Sequence, residues 1–244
     1  MSPDPDQGQE ELAAQQVEDP GALAHAGAPK PPRGRLLAPA WALSGLAVLA
    51  MLAATAWAWG QVPDSARIPI HWGWNGQPNG YAGRGPALLM APILAAAMSL
   101  LLGMLSLANP RLAASPPTLR AYRGVWLGLI SLLALIHACM LGLAFGYPVP
   151  MLQALMAGLG ALLAYTGLAL RQVEPNSLIG IRTRATLGDP AAWARAHKAA
   201  SRPFAILGGL LFFGALLDLP AALLGGILIV GLAVIMALLL VKAR

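Results

Sequence analysis

Six apolar stretches, near residues 36–59, 86–108, 124–146, 151–170, 204–219 and 221–241, divide the chain and leave few folds open to it. A helix of about twenty apolar residues crosses the ~30 Å hydrocarbon layer of a bilayer. Within that layer only helices and closed barrels satisfy every backbone N–H and C=O. Only 11% of the 244 residues are charged, against about 25% in an ordinary soluble domain. The pattern predicts an all-α integral membrane protein of six transmembrane helices. Of the 16 Lys and Arg, fourteen fall in the leading segment, the second–third and fourth–fifth loops and the C-terminus; only Arg67 and Arg84 fall elsewhere. The positive-inside bias then puts both termini in the cytoplasm and the 61–85 loop outside. The net charge of +6 is spread over membrane flanks, so no direct nucleic-acid binding is expected.

Residues 1–35 carry an acidic first part followed by Lys30, Arg33 and Arg35, and lack apolar periodicity. They are expected to form a disordered cytoplasmic tail. Ala56-Trp57-Ala58 imitates a signal cleavage site, but the apolar run before it exceeds the usual 7–15 residues, so the first span is read as retained. The division expected is 36–108 for two spans with an ordered outer loop, 109–241 for a four-span region with an inner loop at 171–203, and a basic end at 242–244. The fifth apolar run is short and should form a tight hairpin with the sixth through Leu217-Asp218-Leu219-Pro220.

The inner loop holds the densest group of specific side chains, between Asn176 and Lys198. Asp189 is suited to cap a helix beginning at Pro190. At ~100° per residue, Trp193, Ala196, His197 and Ala200 share one face, and Arg195, Lys198 and Arg202 the other. The expectation is a short amphipathic helix in this loop, lying at the membrane surface or packed under the bundle. Before it, Gly180 signals a bend, with Arg182 and Arg184 on one side and Ile179 and Ile181 on the other.

In the outer loop Ile68, Ile70, Trp72 and Trp74 alternate with Pro69, His71 and Gly73, as in a half-buried extended segment. Asn75-Gly76 and Asn79-Gly80 both read as tight turns. An ordered cap resting its Trp face on the bundle is expected. Trp57, Trp59, Trp72, Trp74, Tyr81 and Tyr147 should form an outer aromatic belt, with Trp41, Tyr122 and Trp126 near the inner one.

No nucleophile–base pair, metal-binding set or cofactor motif emerges from these spacings. His71 and His197 lie on opposite faces of the predicted membrane and cannot share an ion within one protomer. His137, inside the third span, and Asp218, at an outer helix end, are the candidate intramembrane polar pair. Gly124/Gly128 and Gly142/Gly146 have the spacing that lets helices approach closely, and are read as bundle packing. Cys139 stands alone, so no internal disulfide is available.

Together the two polar stretches resemble the SdpI family, bacterial membrane proteins named for an immunity protein against a secreted killing peptide. Asn176, Gly180, Ile181, Arg182, Thr183, Thr186, Leu187, Trp193 and His197 occupy the places of its cytoplasmic signature. Pro69, His71, Trp72, Gly76, Gly80 and Tyr81 match an uncharacterised extracytoplasmic domain that often precedes it. Arg184 stands where the signature has Pro, Asn79 where the outer motif has Asp, and Arg84 where it has Lys. The resemblance implies a non-enzymatic, multi-pass protein of the bacterial cytoplasmic membrane. It would act in immunity (toxin resistance) and signal transduction, meeting a toxic peptide outside and a transcriptional repressor inside. The alternative is a transporter or channel component using His137 and Asp218.

Overall fold

The computed structural model describes residues 33–109, 112 and 114–242. Nearly all of the expected tail, and the last two residues of the basic end, lie outside that set. The described chain runs α1 (Arg33–Trp59), β1 (Ile68–Trp72), β2 (Pro78–Ala82), α2 (Arg84–Ala108), α3 (Pro116–Ala144), α4 (Met151–Leu170), α5 (Arg184–Gly188), α6 (Pro190–Leu216) and α7 (Ala221–Lys242). Six of these helices are long and apolar enough to cross a membrane. The protein is a multi-pass membrane protein.

Three expectations need correction. The chain is not all-α: β1 and β2 pair as an antiparallel hairpin between α1 and α2. The fifth span and the amphipathic segment are not separate. The helix that Asp189 caps, accepting from Ala191 and Ala192 N–H, continues through Pro203 to Leu216. The charged face of 195–202 breaks the apolar run without breaking the helix; what stands alone in the loop between α4 and α6 is α5, a single turn. Trp41, Tyr122 and Trp126 form no belt, since Tyr122 and Trp126 are buried. Trp126 meets Trp41 edge-on at 5.2 Å, and Tyr122 Oη donates to Leu102 O at 2.5 Å. These aromatics lock α1, α2 and α3 together, and Gly103 leaves room for the Trp41 ring.

A second core joins Ala58, Val62, Ile68, Leu88, Met140 and Met151, so that β1 lies against helix ends. A third joins α6 and α7 through Leu207, Leu211, Leu224 and Ile235. The tightest helix crossing is α4 on α6. A Cβ added at Gly160 or Gly208 would strike the facing backbone, as would one at Gly167 against Ser201 and Ala205. Small residues of this kind are what helix packing in lipid demands, because hydrocarbon gives apolar side chains no reason to leave it for one another. Leu46, Ile93, Leu168 and Phe213 remain exposed accordingly.

The hairpin and the 145–150 and 217–220 turns lie at one end of the bundle. The 171–189 loop, Asn109 and Ser115 lie at the other.

Candidate functional site

At the loop end, the chain between α4 and α6 is built from its own side chains. Buried Asn176 accepts from Leu178 and Ile179 N–H, each at 2.8 Å, and donates to Glu174 O and Ile179 O. One amide thus closes the turn. Gly180 follows at φ +117°, and a Cβ there would run into His197 and Trp193. His197 Nε2 accepts from Ile181 N–H at 3.0 Å, while Nδ1 donates to Trp193 O at 2.8 Å. The Trp193 and His197 rings stack at 4.2 Å, and Trp193 Nε1 donates to Val173 O at 2.7 Å. Thr183 and Thr186 form a reciprocal capping box that starts α5, and Thr186 Oγ1 also donates to Ile181 O at 2.7 Å. Two contacts tie the loop to α3 and its approach: Glu174 N–H to Thr118 Oγ1 at 2.9 Å, and Asn109 Nδ2 to Ser177 Oγ at 2.7 Å.

Asn176, Gly180, Thr183, Thr186, Trp193 and His197 are therefore committed to shaping the loop. Ile181 lends its backbone to the same network, and Leu187 is exposed on α5. Arg182 differs. It is exposed and has no hydrogen-bond or ion-pair partner among the described residues.

At the hairpin end, Pro69 pairs with Tyr81 and His71 with Gly80, with register irregularities on both sides of His71. His71 Nδ1 and Asn79 Oδ1 lie 2.5 Å apart, so the ring nitrogen is the donor. A Cβ at Gly80 would approach His71 Cβ to 2.9 Å, which explains a glycine at that register. Gly76, at φ +79°, forms the turn beside Ala221 and Leu152. Asn79-Gly80 is thus not a second turn; it lies inside β2. The expected alternation also fails at Ile70, which is exposed, because the bulge rotates it outward. Beneath the hairpin a cavity of about 470 Å³ is lined by His71, Trp72, Trp74 and Asn79 on one side and by Leu152, Met156, Ala221 and Gly225 on the other.

Residues 172–242 match the SdpI/YfhL protein family, and residues 46–96 match a domain of unknown function, DUF1648. Over residues 172–242 the chain is similar to the SdpI/YfhL family. No curated protein and no solved structure matches the chain. The SdpI/YfhL region takes in the loop between α4 and α6 with α5, and then α6 and α7. The upstream domain takes in the second half of α1, the hairpin and the first half of α2. Similarity to the SdpI/YfhL family over this region suggests a membrane immunity-type protein.

His137 and Asp218 are not brought together. Buried His137 donates from Nε2 to Met51 O at 3.1 Å and lies 3.3 Å from Thr55 Oγ1, which in turn donates to Leu88 O. It links α3 to α1. Asp218 sits exposed in the α6–α7 turn with φ +55°, and no ion pair joins the two.

Arg84 has a role that sequence reasoning missed. Its guanidinium donates to Trp59 O and Val62 O at 2.7 and 2.8 Å, pairs with Asp64, and lies 4.8 Å from the centre of the Trp59 ring. It seals the C-terminus of α1 against the hairpin. Its place at the first residue of α2, where the outer motif has another cation, was the available signal.

Proposed function

We propose that the chain is a non-enzymatic immunity or sensor protein that meets a toxic peptide or envelope ligand at the hairpin end. Occupancy would be relayed through the SdpI/YfhL region to a cytoplasmic regulator. The observation that carries this reading is the cavity shared by the hairpin with Leu152, Met156, Ala221 and Gly225. A ligand there touches the upstream domain and the SdpI/YfhL helices at once. The Trp74 ring lies over Gly225 with most of its surface exposed, an aromatic anchor of the kind that dominates peptide interfaces. At the opposite end Arg182 supplies a free planar fork of donors suited to a carboxylate or phosphate on a partner. Relay requires the ligand to bind one conformation better than another.

The test is survival of cells expressing the protein when challenged with amphipathic killing peptides. Expression is expected to raise survival, and Trp74→Ala to remove that gain at equal membrane abundance. Arg182→Ala should abolish the response of the regulator. Equal survival and equal response in both variants would end the proposal. A transporter or channel built on His137 and Asp218 has less support, because His137 is engaged in holding helices and Asp218 lies at a surface turn.

A further inference from the structure

On the face of α6 turned away from Trp193 and His197 lies a cavity of about 790 Å³. It is lined by Arg171, Arg195, Lys198 and Arg202, with Pro203 and Leu238 at its base. Among the described residues no acidic side chain lines it. Asp189 reaches Arg195 at 3.5 Å, in an exposed pair worth little. Four cations gathered at one opening repel one another, and an anion relieves that repulsion.

The cavity does not end at its apolar base. Pro203 and Leu238 also belong to an apolar groove of about 660 Å³ between α6 and α7, which passes Ile206, Leu210, Val234, Val230 and Gly226 toward Ala222. A basic mouth and an apolar trough that share two wall residues have the polarity of a single amphipathic molecule. Charge fixes the sign of its head, and the groove fixes that a hydrocarbon chain follows.

We propose that this composite site holds one anionic phospholipid, its phosphate among Arg195, Lys198 and Arg202 and one acyl chain along the α6–α7 groove. The head supplies most of the selectivity, because hydrocarbon outside the groove is as apolar as the groove itself. The chain supplies orientation and keeps a soluble phosphate ester from substituting.

The experiment uses the full chain purified from nanodiscs of equal phosphatidylglycerol and phosphatidylcholine, with retained lipid counted by native mass spectrometry. One phosphatidylglycerol per chain is expected to remain in preference to phosphatidylcholine. Lys198→Gln with Arg202→Gln should weaken retention roughly 30-fold, at about fivefold for each cation near a surface. A Cβ at Gly226 meets nothing within 4 Å, so Gly226→Leu should fill the groove without disturbing the bundle and also weaken retention. Equal retention of phosphatidylcholine, or unchanged retention of phosphatidylglycerol in either variant, would overturn the proposal. Displacement by soluble glycerol phosphate at equal concentration would overturn the lipid assignment in favour of a free phosphate ester.

Discussion

Because the Trp193 carbonyl can only accept and the Ile181 N–H can only donate, His197 must carry its proton on Nδ1 and leave Nε2 bare. The ring is a neutral bracket between α6 and the turn at Gly180. His197→Ala leaves a loop N–H without its acceptor and removes the ring stacked on Trp193. We expect a loss of about 1–3 kcal/mol, read as a lower midpoint of thermal unfolding in detergent. Gly180→Ala should cost a similar ~1–3 kcal/mol, from backbone strain at φ +117° and the clash with both rings. Arg182→Ala should leave that midpoint unchanged, so a stability assay separates the residues that shape the loop from an exposed one that does not. The Gly180 bend and the Asp189 cap were legible in the sequence because each acts within a few residues of itself. Val173 O, Thr118 and Asn109 were not, since what joins them to the loop is the approach of separate helices. Asn79-Gly80 misled for a related reason. The glycine that reads as a turn is there to clear the His71 side chain on the neighbouring strand.

Among the elements, α4 and α6 are the pair whose separation is set by backbone contact. Gly167→Val would place branched carbons against Ser201 and Ala205 main-chain atoms, which cannot rotate aside. It should cost about 1–3 kcal/mol or more and expose the 171–189 loop to protease. Gly209→Leu is the control. A Cβ there meets nothing within 4 Å, and the variant should melt like the parent. Glycine spacing on α3 drew attention in the sequence, yet the closest crossing uses Gly160, Gly167 and Gly208. In a glycine-rich chain spacing alone does not say which partner helix arrives. The length of α6 was hidden in the same way. Hydropathy marked its apolar half and charge marked its basic half, while continuity depended on Pro203 being tolerated inside the helix.

For the molecule as a whole, the six apolar runs were enough to foresee the helical bundle, and the asymmetry of Lys and Arg predicts which end faces the cytoplasm. Single-cysteine labelling tests that orientation with a low background, since Cys139 is buried. A membrane-impermeant thiol reagent on intact cells should modify Trp74→Cys and spare Arg182→Cys until the membrane is opened. The 27 residues of α6 extend roughly 40 Å at 1.5 Å each. The helix starts among the Trp193 and His197 contacts and ends at the elbow leading to Ala221 and Gly225, in the wall of the cavity under the hairpin. It is gripped along its middle where Gly208 meets α4. If the relay proposed above moves α6 as a unit, a lean at one tip would swing the other tip the opposite way about the Gly208 crossing. In the proposed relay, this continuous helix would connect the 171–189 loop with the cavity under the hairpin without a chain of side-chain rearrangements.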